Sequence, residues 1–242
     1  KITYNKYLIH CLLEMTNITK TFLKTLHNFI NMLYKIMKTI LVPFSMFLIK
    51  NIKGLDNVPK KGAFILASNH SSYLDPMLIP VIFVKYFKRK VHYLGKKELF
   101  KTWVGKKIHN VVETIPIDRK GKDKKALENA LNALKNGEII GIFPEGGRSR
   151  TGKLNKGRTG VARLALWAKV PVIPIGIKGS YELWPADKKI FKFKKAIYIN
   201  IGKPMYFDKY YNKKITKKLL SEITTKIMKE TAMLINQEYN FN

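Results

Sequence analysis

Residues 62–76 of the chain, GAFILASNHSSYLDP, join a short apolar run to a polar loop and a proline. The apolar letters FILA, with turn-forming residues on each side, predict a buried strand. Pro76 suits the first turn of a helix, and Ser72 or Asp75 is a candidate cap for that helix. The polar loop therefore leaves the carboxyl end of a strand, which is where open α/β sheets place their ligands.

From residue 51 onward, apolar runs alternate with amphipathic stretches. The runs predict strands near 62–68, 91–94, 138–143, 172–177 and 195–201, and the amphipathic stretches predict helices near 76–86, 124–135 and 160–169. A basic helix follows along Ile215, Leu219, Ile223 and Ile227, and Thr231 interrupts its apolar stripe, which leaves the end of the helix undefined. This alternation predicts an α/β domain with a largely covered sheet.

Residues 1–50 differ from the rest of the chain in composition. They contain no Asp, no Gly and a single acidic residue, with apolar residues at three- and four-residue steps from Leu26 to Ile40. The uncharged run from Thr39 to Ile49 is 11 residues long, against roughly 20 for a helix that spans a bilayer. We interpret this segment as amphipathic helices in a membrane interface, with a core-packing helix pair as the alternative.

These differences divide the chain into interfacial helices over 1–50 and an α/β domain over 51–242 that ends in the basic helix. No small-residue cleavage site follows the apolar run, so we do not expect a cleaved signal peptide. Met15 is an alternative start, and residues 1–14 are interpreted as an extension ahead of it.

The chain carries 46 Lys and Arg against 16 Asp and Glu, a formal net charge of +30. This excess predicts attraction to a nucleic acid, an acidic membrane surface or a phosphorylated substrate. Only six of the cations are Arg, and five of the six lie between Arg119 and Arg163. Because the guanidinium fork suits bidentate phosphate recognition, we interpret the Arg cluster as a phosphate site. The lysines then indicate compositional bias and attraction to an anionic membrane. A nucleic-acid partner is disfavoured, because the sequence has no known nucleic-acid-binding motif.

His70 lies in the loop after the first of these strands, five residues before Asp75. The bend between strand and helix can bring the carboxylate to one imidazole nitrogen, which leaves the other free to take a proton from a hydroxyl. An exposed loop histidine beside a helix-capping aspartate has the same pattern, and the pair taken alone favours that interpretation.

A second motif, FPEGGRSR over 143–150, follows another predicted strand. Its two glycines allow the backbone to approach a ligand closely. Arg148 and Arg150 supply a clamp for a phosphate. Glu145, a lone acid among basic residues, is interpreted as holding an arginine or binding a substrate hydroxyl. A basic surface turn is the alternative for this segment.

Two further cations are candidate ligands, and several familiar motifs are missing. Lys96 and Arg119 are weaker candidates for an anionic group, each equally typical of a protein surface. The single cysteine, Cys11, and the scattered histidines predict no metal site. The chain has no GxGxxG or complete Walker A loop, which disfavours nucleotide-binding folds, and no GxSxG elbow, which disfavours a serine hydrolase.

Taken in order, these segments resemble the 1-acyl-sn-glycerol-3-phosphate acyltransferases. Residues 69–75 match the signature NHxSxxD, 115–119 resemble the second block, 143–149 fit the FPEGxRS block, and 170–175 resemble the apolar, proline-bearing fourth block. Gly147 stands where the family often has Thr. The resemblance covers about 51–205, and the ordered set of motifs is far more specific than any one of them.

The resemblance implies a mixed sheet of the glycerolipid acyltransferase type and an enzyme that moves an acyl group from acyl-CoA or acyl-carrier protein to the sn-2 hydroxyl of lysophosphatidic acid. It implies His70 as the general base, oriented by Asp75, and backbone amides at the following helix terminus as oxyanion donors. It implies substrate binding by Asn69, Ser72, Lys96, Arg119, Glu145, Gly146, Arg148 and Ser149.

The same resemblance implies no cofactor and a monotopic enzyme on the cytoplasmic face of a membrane. Glycerol 3-phosphate and other lysolipids are the alternative acceptors within this chemistry, because the motifs define the reaction better than the acceptor.

Overall fold

The computed structural model describes residue 39 and residues 42–96, 115–117, 124–185 and 191–241. The chain divides into two units, Lys1–Pro43 and Phe44–Asn242, and the second unit contains the sheet. Most of the helical segment predicted over 1–50 lies outside the described residues, so its assignment to interfacial helices stays a prediction.

Within the described residues, seven strands form a sheet in the order β1-β7-β6-β2-β5-β3-β4. Neighbouring strands are parallel except β6 and β7, which are antiparallel. The sheet is therefore mixed, and the carboxyl ends of β2, β3, β5 and β6 meet at one edge. The strands are β1 (Ile49–Lys53), β2 (Phe64–Ser68), β3 (Val91–Lys96), β4 (Ile115–Ile117), β5 (Ile139–Ile142), β6 (Val172–Lys178) and β7 (Ile197–Ile201).

Helices cover both faces of this sheet. In β2, Phe64 and Leu66 pack into one core with α1, whereas Ile65 and Ala67 pack into a second core with α2, α3 and α5. All five residues of β2 are buried, which is why the strand is apolar at successive positions and not only at alternate ones. The predicted covered sheet is thus confirmed. The helices are α1 (Asp75–Ile82), α2 (Lys124–Lys135), α3 (Gly160–Ala168), α4 (Ser180–Leu183) and α5 (Lys217–Leu234), and α1 continues into a π-helical turn over Phe83–Phe87.

The polar interruption in the last helix does not end it. Thr231 is fully buried, and its hydroxyl donates to the carbonyl oxygen of Ile227 at 3.0 Å. Thr224 donates in the same way to the carbonyl oxygen of Leu220 at 2.8 Å. A threonine that bonds four residues back satisfies its hydroxyl within the helix. The apolar stripe therefore continues past Thr231, and α5 runs to Leu234.

The sequence pattern does not predict β1 or β4. β1 lies at one edge of the sheet and leaves three of its five residues exposed, so it shows no apolar run. Ile49 and Lys50, which the sequence assigns to the N-terminal helices, belong to this strand, and the structure corrects that assignment. β4 is three residues long, too short to show a periodicity.

Two glycines with left-handed backbones differ in what surrounds them. Gly179, at the end of β6, has φ of 90°, and a β-carbon on it would lie 2.1 Å from the carbonyl oxygen of Ala196. Gly62 has φ of 83°, and a β-carbon there would meet nothing within 4 Å. Both positions disfavour alanine by roughly 1–2 kcal/mol of backbone strain, but only Gly179 also faces a backbone clash.

We therefore expect Gly179→Ala to lower the free energy of unfolding by at least about 2 kcal/mol more than Gly62→Ala does. Equilibrium urea denaturation of the two variants measures this difference. Equal losses would show that the chain around Ala196 moves aside at no cost.

Candidate active site

His70 and Asp75 form a hydrogen-bonded pair at the carboxyl end of β2. The Nδ1 atom of His70 lies 2.9 Å from Oδ2 of Asp75, whose side chain is fully buried, whereas the imidazole is 13% exposed. The same carboxylate oxygen accepts the N–H groups of Ser71 at 2.7 Å and Ser72 at 2.8 Å. The hydrogen bond to Asp75 assigns the proton to Nδ1. Nε2 has no hydrogen-bond partner among the described residues, so it is free to act as a base.

The amides that begin α1 have partners inside the fold. The N–H groups of Ser71 and Ser72 donate to Oδ2 of Asp75, and the N–H of Leu74 donates to Oγ of Ser72 at 3.1 Å. Ser72 is fully buried, and its hydroxyl donates to the carbonyl oxygen of Trp184 at 2.7 Å. The three amides are therefore engaged within the fold and not free to stabilise an oxyanion, and the predicted role of Ser72 in substrate binding stays a prediction.

The imidazole of His70 is the first ring in a stack of three. The ring of His70 lies on that of Phe143, with centroids 4.0 Å apart and planes 20° apart, and Tyr93 lies 5.0 Å beyond Phe143 at 23°. Gly141 makes room for the stack, because a β-carbon there would lie 2.6 Å from the Tyr93 ring. Phe143 is not among the site residues predicted from the sequence. Its position as an aromatic residue directly after a strand could have indicated contact with the site.

Glu145 binds the loop after β5 to the main chain of the histidine. Its Oε1 accepts the N–H of His70 at 2.7 Å, and its Oε2 accepts the N–H of Asn155 at 2.9 Å. The carbonyl oxygen of His70 accepts the N–H of Ser149 at 2.7 Å, so both sides of the histidine backbone are held. Burial of the Glu145 carboxyl raises its pKa to about 7, although the two backbone N–H donors act in the opposite direction. In the part of the chain that the structure describes, Glu145 pairs with no arginine and instead holds two backbone N–H groups, and its predicted contact with a substrate hydroxyl stays a prediction.

Asn69 and Ser149 also have partners within the fold, and their predicted roles in substrate binding stay predictions. The Asn69 amide donates to the carbonyl oxygen of Ile177 at 2.8 Å and accepts the N–H of the same residue at 2.7 Å. Ser149 is buried, and its Oγ accepts the N–H of Thr151 at 3.3 Å. These side chains join β2 to β6 and shape the loop after β5.

Gly146 belongs to the same loop and has a left-handed backbone, with φ of 70°. A β-carbon on it would lie 2.6 Å from Nε of Arg158. The absence of a side chain at Gly146 therefore allows a second arginine to lie against the loop, as part of the predicted cluster of guanidinium groups.

Arg148 stacks on the ring of Tyr73. Its guanidinium carbon lies 3.7 Å from the centroid of the Tyr73 ring. Stacking engages the flat face of a guanidinium and leaves its N–H edge available, and the described residues supply no hydrogen-bond partner to that edge. Arg148 thus has the geometry of a phosphate ligand, and Tyr73, which the sequence analysis did not single out, is its platform.

The two remaining predicted ligands cannot be placed beside this site. Lys96 ends β3 at the same edge of the sheet, but its side chain, like the whole of Arg119, lies outside the described residues. Their roles stay predictions. No group of three or more His, Cys, Asp or Glu side chains suited to a metal ion occurs in the described ranges.

The motifs that build this site fall within a recognised family. The family model described as Acyltransferase matches residues 50–178, which include His70, Asp75 and the whole loop from Phe143 to Ser149. The chain belongs to the acyltransferase family. The family resemblance of the sequence is thus confirmed, and the hydrogen-bonded histidine and aspartate lie within the matched residues.

Individual relatives agree with this assignment. This acyltransferase is 32% identical over 155 residues to the 1-acyl-sn-glycerol-3-phosphate acyltransferase of Bacillus subtilis, covering 62% of this chain and 71% of that protein. It is 32% identical over 160 residues to the probable 1-acyl-sn-glycerol-3-phosphate acyltransferase of Mycoplasma pneumoniae, covering 61% and 58%. The fold matches that of the acyltransferase PlsC from Thermotoga maritima with a TM-score of 0.63 at 23% identity, over 86% of this chain and 83% of the other. The predicted fold type is therefore confirmed.

The buried Glu145 makes the stability of the fold depend on pH. Its carboxyl has an ordinary pKa of 4.5 and a pKa of about 7 in the folded chain. Between these values the folded protein keeps a proton that the unfolded chain releases. The stabilisation is therefore fully present below pH 4.5 and is lost as the pH rises through 7. The rise in the pKa of Glu145 from 4.5 to about 7 corresponds to about 3 kcal/mol of stabilisation.

Glu145→Gln cannot titrate, so we expect the free energy of unfolding of the wild type, relative to this variant, to fall by about 3 kcal/mol between pH 4.5 and pH 7. Urea denaturation across this range measures the trend. Glu182→Gln, at an exposed position, is the control and should show no such trend. A constant difference for Glu145→Gln would place the pKa of Glu145 at its ordinary value.

Proposed function

We propose that this acyltransferase moves an acyl group from an acyl thioester to the sn-2 hydroxyl of 1-acylglycerol 3-phosphate and so forms phosphatidic acid. One observation carries the proposal. The imidazole of His70, whose Nε2 has no partner among the described residues, is hydrogen-bonded through its own main chain to the loop that carries the stacked guanidinium of Arg148. A base and a phosphate ligand on two hydrogen-bonded loops suit an acceptor that carries both a hydroxyl and a phosphate. The names of the two bacterial relatives support this acceptor.

His70 begins the reaction as a general base. Its Nε2 takes the proton of the sn-2 hydroxyl as the oxygen attacks the carbonyl carbon of the thioester. Asp75 stabilises the imidazolium that forms, because its carboxylate already faces Nδ1 at 2.9 Å. Three hydrogen bonds hold that carboxylate in place, so the base does not have to reorganise during proton transfer.

The tetrahedral intermediate then collapses with cleavage of the carbon–sulfur bond. The thiolate leaves, and the imidazolium of His70 returns the proton to the sulfur, which restores the neutral base. The acyl group passes directly from sulfur to oxygen, with no covalent acyl-enzyme. Either acyl-CoA or acyl-carrier protein supplies the thioester in this scheme, and parallel assays with each donor distinguish them.

Arg148 binds the phosphomonoester of the acceptor. Tyr73 holds the guanidinium in one orientation, so less side-chain freedom is lost when the phosphate binds. We extend the same role to Lys96 and Arg119, which the sequence predicts as additional cations. Because Arg148 and His70 belong to segments joined by Glu145 and Ser149, the phosphate position determines which hydroxyl meets the base.

We also propose that the enzyme works on the surface of an anionic membrane. The acceptor is a lipid, and the chain has a net charge of +30. The cytoplasmic leaflet carries the anionic lipids that attract such a charge. None of the helices in the described ranges is both long and apolar enough to cross a bilayer. The interfacial helices predicted over 1–50 belong to the same proposal.

The base is tested by His70→Ala. We expect transfer from either thioester to lysophosphatidic acid to fall by a factor of about 1,000 or more, because a positioned general base contributes roughly 100- to 10,000-fold. His92→Ala is the matched control, since Nε2 of His92 also faces a carboxylate, that of Glu138, at 3.2 Å. Full activity of the His70 variant in a steady-state assay would contradict the mechanism.

The phosphate ligand is tested by Arg148→Ala. We expect the KM for lysophosphatidic acid to rise about 10- to 100-fold, the effect of losing hydrogen bonds to a charged group, with a smaller change in kcat. Arg163→Ala is the matched control, because its guanidinium also stacks on an aromatic ring, that of Trp167, at 5.4 Å. Glycerol 3-phosphate and an uncharged lysolipid serve as alternative acceptors. An unchanged KM for the Arg148 variant would remove its role in binding phosphate.

A further inference from the structure

A chain of aromatic rings runs from the active site to an exposed edge of the molecule. The Tyr73 ring, on which Arg148 stacks, lies 5.1 Å from Trp184, and Trp184 lies 5.7 Å from Phe191. The chain continues through Phe44 and Phe193 to Phe47. We call this set the aromatic ridge. Its members are Tyr73, Trp184, Phe191, Phe193, Phe44 and Phe47.

The outer end of the aromatic ridge is open to solvent. Phe193 is 63% exposed and Phe47 is 49% exposed, and their rings stack 4.8 Å apart with planes 13° apart. Phenylalanine residues that are exposed together form an apolar patch, which on soluble proteins often marks a contact surface. Exposure of both rings to water is unfavourable in free energy, and burial against a partner surface would remove this cost.

Main-chain hydrogen bonds fasten the segment that carries the exposed rings. The N–H of Lys192 donates to the carbonyl oxygen of Leu183 at 2.8 Å, and the N–H of Ala196 donates to that of Leu48 at 3.1 Å. The segment is thus tied to α4 on one side and to the residues before β1 on the other. The aromatic ridge is therefore a built surface and not a loose loop.

Lysines alternate with the exposed rings. The sequence 191–195 is FKFKK, and its three lysines are exposed, as is Lys50 beyond Phe47. The sequence from 180 to 196 contains five lysines against two acids, Glu182 and Asp187. Apolar rings surrounded by lysines match the boundary of an anionic bilayer, where the rings enter the interface and the ammonium groups meet lipid phosphates.

We propose that the aromatic ridge and the lysines at 192, 194 and 195 form the surface with which the α/β unit rests on an anionic lipid bilayer. The inference rests on the proposed function for its lipid acceptor. The ridge ends at the ring that holds Arg148, so bilayer contact brings lipid headgroups to the phosphate ligand. A second copy of this chain is a poor occupant of the same surface, because it presents the same lysines and the same net charge of +30.

The apolar part of the surface is tested in the full chain with the double variant Phe47→Ser/Phe193→Ser. The matched control is Tyr206→Ser/Met233→Ser, which changes side chains that are 62% and 60% exposed outside the ridge. Binding to vesicles of phosphatidylcholine and phosphatidylglycerol is measured by flotation. We expect the ridge variant to bind more weakly by about tenfold for each phenylalanine and the control to bind like the wild type. Equal binding by the two double variants would overturn the proposal.

The charged part is tested with Lys192→Gln/Lys194→Gln/Lys195→Gln. The control is Lys214→Gln/Lys217→Gln/Lys218→Gln, which removes the same charge from three exposed positions elsewhere. We expect only the first triple variant to lose affinity for the anionic vesicles, by about fivefold for each lysine. Equal losses would show that the overall charge, and not this surface, directs binding.

Activity separates this proposal from the proposed function. The Phe47/Phe193 variant should lose activity on lysophosphatidic acid embedded in vesicles and keep wild-type activity on a short-chain, monomeric acceptor. A wild-type enzyme that is inactive on both acceptors would contradict the proposed function, and the vesicle measurements would still test the ridge. Sedimentation of the wild type and of the Phe47/Phe193 variant tests whether a second copy of the chain binds the aromatic ridge instead. A self-association that the two serines abolish, with vesicle binding unchanged, would overturn the bilayer contact.

Discussion

The buried carboxylate of Glu145 is the constraint on which the site depends. One of its oxygens accepts the N–H of His70 and the other accepts the N–H of Asn155, so a single side chain joins the loop after β2 to the loop after β5 and to the segment before α3. An ionised carboxylate only accepts hydrogen bonds, and this position offers it only donors. The burial that strengthens these contacts also raises the pKa of Glu145. The position of the imidazole is therefore linked to the ionisation of a second residue, Glu145.

Two independent sets of contacts hold His70. Glu145 and Ser149 hold its main chain, whereas Asp75 and Phe143 hold its ring. Arg148 precedes Ser149 on the same loop, so the phosphate ligand moves with the base. In the proposed acceptor, the hydroxyl and the phosphate are on adjacent carbons. A fixed offset between base and guanidinium would then select the sn-2 hydroxyl by distance, with no residue dedicated to recognising it.

The central parts of the fold could be predicted from the sequence because they are buried on both faces. β2 is apolar at successive positions and flanked by turn residues, whereas β1 lies at an edge, exposes three of its five residues and shows no such pattern. The order of the motifs along the chain also predicted that polar residues gather at one edge of the sheet. It did not show which of them the fold itself uses.

Asn69, Ser72 and Ser149 look like ligand donors in the sequence. Each has a backbone partner in the structure, and backbone groups leave no signature in the identity of a residue. The freedom of Arg148 is hidden in the same way. A guanidinium that stacks on Tyr73 and one that pairs with a carboxylate look alike in a sequence, but only the first is ready for a phosphate. Geometry, and not residue type, separates the functional residues of this motif set from the structural ones.

The net charge of the chain attracts it to an anionic surface but cannot orient it, because lysines are spread over most of the protein. Orientation requires a feature that only one face possesses. The aromatic ridge is such a feature, since no other face can bury Phe47 and Phe193 together. Charge would then bring the protein to the bilayer, and the rings would choose the face that meets it. Tyr73 belongs to the ridge and also stacks on Arg148. The contact that orients the protein would therefore also set the distance between the bilayer surface and Arg148.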